Sequence, residues 1–594
     1  MSQTPRIFLG VRRSANGVAW EHRLSERQEN VALAIAQAQG VPDIVARVLA
    51  GRDVQADEAA RFLDPTIRDL MPDPLTITDM AAAGDRIARA VRRNERVAIF
   101  GDYDVDGACS SALMKRYLDH FGVVSEIYIP DRIFEGYGPN PEAMRDLVAR
   151  GATLIVTVDC GTNSAVSVEA ANAAGADVVV LDHHQVGGEL PPALATVNPN
   201  REDDLSGLGY LCAAGVVFMA LVQTSRVLRE TGGPPPPDLL SLLDLVALAT
   251  VCDVVPLVGL NRAFVVKGLI AARHMTNPGI ATLARAARIG EPLNPYHFGF
   301  MIGPRINAGG RIGDAALGSR LLTIDDPAEA AKIAETLDRL NGERQAMEQV
   351  MLAEAKAEAD TELLGGRGPA VLVTNNDRWH PGIVGLLASR LKDHARRPAF
   401  AIAFNSSGVG SGSGRSIPGY DIGRMVRTAV ERGLLIKGGG HAMAAGITVE
   451  RAKLGDLRAF FEEHAAETVF GLRDADSLKI DAAVSADGAT LKLAEDLERA
   501  GPYGPGHPQP MLALPRHRVS DVRSVGNGNH LRVDLRSEAG GRISAMAFRA
   551  AESDLGAFLM GNRGQLVHAA GTLSVNWWNG SASPQLRLLD AAKA

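Results

Sequence analysis

Short apolar runs alternate with helix-length stretches through the first half of the chain. Val97-Ala98-Ile99-Phe100, Leu154-Ile155-Val156-Thr157-Val158 and Val178-Val179-Val180-Leu181 carry almost no polar residues, as strands buried on both faces should. Segments such as 142–150 and 164–174 lie between them, and this β-α-β alternation predicts a parallel sheet. Each run ends in acids or imidazoles: Asp102-Tyr103-Asp104-Val105-Asp106-Gly107, then Asp159, then Asp182-His183-His184. The carboxyl ends of parallel strands share one edge, and ligands bind in the crevice there. Residues 239–251 are apolar enough for a buried helix or a helix-strand pair that delivers Asp253 to the same place.

Downstream, residues 326–362 are rich in Ala, Glu, Leu, Lys and Arg, with Gly342 the one glycine in their interior. That composition predicts a long connecting helix; apolar a/d positions are not sustained as a coiled coil requires. A second lobe reads as a strand at 370–374, a helix at 383–393 and a strand at 399–404. Residues 408–414 alternate glycine with other residues and end in Arg415-Ser416, matching neither a P-loop nor a G-x-G-x-x-G fingerprint. They read as a loop, either a flexible surface one or, with Gly438-Gly-Gly-His441, one that brings backbone N–H groups and an arginine to a phosphate. The last ~120 residues alternate apolar and polar at 530–536, 542–548, 565–578 and 585–589, which suits a compact β-barrel of the OB type. Arg532 and Arg536 fall on its wet face. Trp577-Trp578 could stack bases, with one of the two expected in the core. Residues 1–75 form an N-terminal segment, helical near 31–49. The expected organisation is therefore 1–75, 76–325, 326–365 (the connecting helix), 366–470 and 471–594.

Acids and imidazoles gathered at one edge would repel and raise one another's pKa unless cations joined them. Oxygen-rich ligands with some imidazole suit two divalent ions, Mg²⁺ or Mn²⁺, the usual apparatus for hydrolysing phosphate esters. Helix capping explains a single Asp at a strand end but not three such ends in succession. An EF-hand reading of Asp102-x-Asp104-x-Asp106-Gly107 fails because the twelfth position, which needs a bidentate Glu, is Leu113. Asp104-Val-Asp-Gly107 after a strand also suits haloacid-dehalogenase-type phosphatases, whose sites do not call for a later His-His pair.

Composition changes the picture little. The chain has 594 residues, 46% apolar and 22% charged, too long for one core. No apolar run reaches the ~18 residues of a membrane span, and the first ten residues lack a signal peptide's apolar centre, so a cytoplasmic protein without membrane contact is expected. Cys109, Cys160, Cys212 and Cys252 show no C-x-x-C spacing; they read as small buried hydrophobes. A net charge of −7 argues against nucleic acid at face value, but bound metal would offset it, and residues 511–594 hold ten Lys and Arg against six Asp and Glu.

The same residues carry a family resemblance. Gly101-Asp-Tyr-Asp-Val-Asp-Gly107, Val158-Asp159-Cys-Gly161, Asp182-His183-His184 and Asp253-Val-Val-Pro-Leu257 resemble the successive motifs of the DHH/DHHA1 phosphoesterase superfamily. The fit is close to its RecJ family of bacterial single-strand-specific DNA exonucleases. The lead-in at 62–74, Arg305-Ile-Asn307-Ala-Gly-Gly-Arg311, His380-Pro-Gly-Ile-Val384, Ser411-Gly-Ser413-Gly-Arg415-Ser416, Gly438-Gly-Gly-His441-Ala-Met-Ala-Ala-Gly446 and Tyr503-Gly-Pro-Gly-His507-Pro508 resemble its later motifs in order; the family more often has Asn where His507 stands. The resemblance implies an α/β fold in which a parallel-sheet DHH domain joins, through a long helix, an α/β DHHA1 domain followed by an OB-fold. It implies 5′-to-3′ hydrolysis of single-stranded DNA in recombination and repair. Asp104, Asp106, Asp159, His183 and Asp253 would ligate the metals, with Asp159 bridging and Asp102 a further ligand or neighbour. Asp182 would orient the His-His loop, and His184 would contact phosphate or donate a proton. Arg132, Ser413 and Arg415 would take the 5′-phosphate, while Arg305, Asn307, Arg311, His380, His441, Trp577 and Trp578 would contact DNA. The barrel would supply affinity rather than chemistry. A monomer is expected, supplied with substrate by a single-strand-binding protein and a helicase. Two alternatives stand beside this: a superfamily enzyme acting on oligoribonucleotides or cyclic dinucleotides, and a non-catalytic single-strand-binding scaffold.

Overall fold

The computed structural model describes residues 6–131, 135–136, 138–364, 366–578 and 581–594. After a short strand β1 (Ala19–His22), strands β2 (Val97–Gly101), β3 (Ser125–Tyr128), β4 (Leu154–Val158), β5 (Asp177–Leu181) and β6 (Ala195–Val197) form a parallel sheet in the order β3-β2-β4-β5-β6. Alternate residues serve opposite cores. Val97, Ile99, Val156 and Val179 pack into one apolar cluster, while Ala98, Phe100, Ile155 and Val178 pack into another. Both faces are thus covered, which is why the strands read as unbroken apolar runs. The 239–251 segment resolves into a 3₁₀ turn (Leu239–Leu242) and a buried helix (Leu243–Cys252) that ends at Asp253.

The helix Pro327–Leu363 is 37 residues long, capped by Asp326 through the amide of Ala328. Its first half gives Ala330, Ile333, Ala334 and Leu337 to the first lobe's core. Its second half gives Met351, Ala355 and Ala359 to the second lobe. One rod of about 55 Å therefore belongs to both lobes and fixes their spacing.

The second lobe is a sheet of β7 (Leu372–Asn376), β8 (Ala399–Phe404), β9 (Val409–Arg415), β10 (Lys437–His441) and β11 (Ala444–Glu450), ordered β10-β11-β9-β8-β7. The glycine-alternating segments, expected as loops, are strands here, and β9 is central. Gly410, Gly412 and Gly414 pair with Phe404, Ile402 and Phe400 of β8. A Cβ on Gly414 would stand 2.4 Å from the Phe400 ring, and one on Gly412 2.8 Å from Ile447. The glycines leave room for these neighbours, and the alternate face presents Ser411, Ser413 and Arg415.

Beyond β12 (Ser477–Ile480) and β13 (Ala482–Ala483), strands β14 (Leu512–Val525), β15 (His530–Arg536), β16 (Arg542–Ala547), β17 (Leu566–Trp578) and β18 (Ser581–Lys593) close into a barrel through β14–β17 pairing. The N-terminal segment is part of this unit. Its helical stretch is two helices, Glu26–Gln39 and Asp43–Ala50, separated at Gly40 and Pro42. Ile35, Val48 and Leu49 share one core with Leu512, Val533 and Leu588, and β1 pairs with β12. Arg262, 1% exposed, ties this unit to the first lobe. Its Nε donates to Phe62 O at 2.9 Å, its Nη2 to Ala500 O at 2.9 Å, and its guanidinium lies 3.8 Å from the Phe62 ring centre. His507 Nε2 donates to Ala500 O beside it.

Burial and the neighbouring Arg262 lower the His507 pKa from 6.5 to about 3. The folded state therefore resists a proton that the unfolded chain accepts below pH 6.5, so this contribution to stability is full above 6.5 and declines as pH falls toward 3. The limiting slope is roughly 1.4 kcal/mol per pH unit. Denaturant unfolding between pH 7 and 4 should be less pH-dependent for His507→Asn than for the wild type; parallel profiles would refute the assignment.

Candidate active site

Each acidic strand end is held by its own local chemistry. Asp102 follows β2 and is buried; Gly107 allows the 102–107 turn to close, since a Cβ there would stand 2.4 Å from Asp102 O. Asp104 N-caps the helix Val105–His120, its Oδ1 accepting the Gly107 amide at 3.1 Å, so the capping role exists alongside any other. Asp106, within that helix, accepts the amides of Ala213 (2.6 Å) and Ala214 (2.8 Å) at the start of the helix Ala213–Glu230. Asp159 follows β4 with φ 61°, and Val254, beside Asp253, has φ 62°. Left-handed backbone is costly for such residues, for a β-branched one above all, and it concentrates where a site demands it.

These groups meet at one point. His183 Nε2 lies 3.3 Å from Asp159, 3.7 Å from Asp106 and 3.7 Å from Asp253. Three overlapping sets, Asp159/His183/His184, Asp106/His183/Asp253 and Asp102/Asp104/Asp159, each have ligand atoms within 4.8 Å of one another. Burial, and then the surrounding carboxylates, raise the pKa of Asp106, Asp159 and Asp253, with His183 opposing at Asp106 and His184 at Asp253. A cluster of this composition fits hard divalent cations, which remove the repulsion.

Asp182 builds the loop and reaches that point only through His184. Its carboxylate accepts the amides of Thr162 (3.1 Å), His183 (2.8 Å) and His184 (3.2 Å), and lies 2.8 Å from His184 Nδ1. Although burial opposes ionisation, His184 and Thr162 hold its pKa below the usual range. Burial likewise disfavours the charged His184, but Asp182, with Asp102 and Asp253, lifts its pKa to about 9. Asn198 and Asn200, which the sequence reading missed, donate to His184 O (2.8 Å) and His183 O (2.5 Å). They stand just past β6, on the same carboxyl edge; that position was the available clue.

The second lobe faces this edge. Arg415 Nη1 donates to Ser413 Oγ at 2.9 Å, and both lie over Gly385 at the start of the helix Val384–Ala395. Burial, Arg415 and, across the cleft, His184 lower the pKa of His441. Arg311 Nη1 donates to Gly382 O at 3.0 Å, and His380 Nδ1 accepts the Gly382 amide. Arg305 turns elsewhere: it pairs with Asp338 of the long helix at 2.8 Å and donates to Met301 O. Asn307 is half-buried on the same helix, Gly303–Ile312. Trp577 is 51% exposed at the tip of the β17–β18 hairpin, outside the metal-ligand cluster. Arg132 and the side chain of Trp578 lie outside the described residues.

Comparison with known proteins agrees with this layout. The DHH family, N-terminal domain matches residues 96–250, the DHHA1 domain 368–467 and the RecJ OB domain 480–590. The single-stranded-DNA-specific exonuclease RecJ of Salmonella typhimurium is 37% identical over 523 residues, 85% of this chain and 88% of that protein. The chain belongs to the RecJ family. RecJ from Thermus thermophilus in complex with Mn²⁺ superposes with a TM-score of 0.78 at 29% identity, covering 97% of this chain and 79% of that one. The same protein in complex with Mg²⁺ gives 0.71 at 27% identity, over 97% and 78%.

In this RecJ-family site the Asp182 carboxylate is the support of the histidine turn. Asp182→Ala would strand buried donors, each costing about 1–3 kcal/mol. Urea unfolding should show a loss of that order. Asp182→Asn, whose amide oxygen still accepts the backbone amides, should lose less; equal losses would mean that hydrogen bonding at this point is unimportant.

Proposed function

We propose that the chain is a metal-dependent exonuclease that removes nucleotides from the 5′ end of single-stranded DNA, in recombination and repair. One observation carries the reading: a buried carboxylate-imidazole cluster lies directly opposite an arginine-serine pair across a cleft between two lobes. Asp104, Asp106, Asp159, His183 and Asp253 would hold two divalent ions, Mg²⁺ or Mn²⁺, with Asp159 the residue placed to serve both and Asp102 alongside. When bound, such ions neutralise the carboxylates, acidify water and stabilise charge on the phosphate. The Mn²⁺ and Mg²⁺ complexes of the Thermus relative support this choice. His184, held by Asp182, contacts the phosphate or donates the proton. Ser413 and Arg415, with Arg132, receive the terminal phosphate by charge-assisted hydrogen bonds, and Arg311, His380 and His441 line the same cleft. Arg305 takes the structural role that its pairing with Asp338 gives it.

The domain limits 1–75, 76–325, 326–365, 366–470 and 471–594 are retained as functional units, with the first and last acting together. No helix among the described residues is long and apolar enough to cross a membrane. We place the protein in the cytoplasm as a monomer, receiving substrate from a helicase and a single-strand-binding protein.

Digestion of end-labelled single-stranded and duplex DNA with Mn²⁺, Mg²⁺ or EDTA tests the activity. Release of 5′ nucleotides from single strands alone, abolished by EDTA, is expected. Asp159→Ala should retain strand binding but under a tenth of the rate, a barrier rise above ~1.4 kcal/mol; a faster variant would remove the bridging role. Arg415→Ala should slow 5′-phosphorylated strands far more than 5′-hydroxyl strands. Equal loss on both would make Arg415 a general backbone contact.

A further inference from the structure

Two exposed aromatic rings stand on the turn that packs against the residue next to Asp253. Tyr296 and Phe300 are 60% and 71% exposed, and they stack with centroids 5.2 Å apart and planes 24° from parallel. Phe300 lies within, and Tyr296 just before, a π-helical turn, His297–Ile302. Such wide turns are rare and recur at functional sites. The turn is fastened directly behind a proposed metal ligand: Cys252 Sγ donates to Phe298 O at 3.3 Å, and a Cβ on Gly303 would stand 2.5 Å from that sulfur. Cys252 is the neighbour of Asp253. On its other side, His297 Nε2 lies 3.0 Å from Glu291, which faces Glu498 of the helix Leu491–Ala500. Glu498 takes the backbone amide of Val575 in β17, the strand that carries the exposed Trp577 two residues on. The turn that carries the pair is thus tied to the segment bearing Asp253 on one side and, through Glu291 and Glu498, to the barrel on the other.

We propose that Tyr296 and Phe300 form a platform on which bases of a single strand stack as it runs from the cleft toward the barrel. The inference rests on the single-strand reading above and assigns it a residue-level device. Exposed aromatic faces accept any base, so the contact is sequence-tolerant. It also discriminates: bases inside a duplex are already stacked and present no free face. The platform therefore favours single strands through binding, a preference that the carboxylate-imidazole cluster does not itself supply.

The test uses the full-length protein with Mn²⁺ and a 20-nucleotide strand. Tyr296→Ala/Phe300→Ala should raise KM about tenfold or more with kcat within twofold. Both rings are largely exposed, so an unchanged melting temperature is expected and would verify the fold. On a strand whose internal bases are replaced by abasic sites, wild type and variant should have the same KM. Phe300→Trp should behave as wild type and Phe300→Leu as a loss of stacking. An unchanged KM in the double variant, or an equal loss on normal and abasic strands, would overturn the platform while leaving the exonuclease reading intact. Wild-type protein inert toward every single strand would instead overturn that reading and the platform with it.

Discussion

Five carboxylates and two imidazoles packed at the carboxyl edge of one parallel sheet impose a constraint that the rest of the molecule answers. Burial and mutual repulsion both oppose their ionisation, as the raised pKa values of Asp106, Asp159 and Asp253 record. Hydrogen bonds relieve part of the strain: helix amides reach Asp106, and Gly107 reaches Asp104. Asp182 touches the cluster only through His184 and is otherwise spent on the loop. What remains, beyond the part that His183 and His184 offset, is negative charge suited to cations, held in backbone that Asp159 and Val254 adopt at positive φ. Such strain persists where the surroundings over-determine it, and at Asp159 the covered sheet does so.

A metal cluster alone would be an indiscriminate phosphoesterase centre. Selectivity must come from the surfaces around it, and the long helix determines the one that stands opposite. Because Pro327–Leu363 is built into both lobes' cores, the separation between His184 and the Arg415–His441 face is a property of the fold. Arg311 on Gly382 O and Arg305 on Asp338 pin the two ends of one short helix to the second lobe and to the long helix. The cleft is consequently electrostatically polar, acidic on one wall and basic on the other.

Much of this was legible in the sequence. Unbroken apolar runs meant doubly covered strands, and their acidic ends meant a common edge; both follow from strand geometry alone. The connecting helix was legible from composition. The glycine-alternating segments were misread because glycine in a strand ordinarily signals weakness, whereas here Phe400, Ile402, Phe404 and Ile447 occupy the space that side chains would take. That is tertiary information, and no local pattern contains it. Asn198 and Asn200 were missed for a related reason. Their targets are the carbonyls of His183 and His184, and backbone acceptors leave no mark on composition. Strand β14 also escaped, since its alternation is interrupted by bulges between Leu514 and His517 and between Val519 and Asp521.

The union of the two chain ends changes what the barrel can be. Ile35, Val48 and Leu49 share its core, β1 extends from β12, and Asp481 is paired with Arg23 and Arg52 from the N-terminal segment. A separable binding module would need a core of its own, and this one borrows from residues hundreds of positions away. Arg262 then joins the composite unit to the first lobe through Phe62 on one side and Ala500 on the other. Losing either carbonyl would leave a further donor of this buried guanidinium unpaired, which is costly, so that junction tolerates little rearrangement. The barrel is thus held at a fixed distance from the cluster, so any strand that reaches both must cross the first-lobe surface between them.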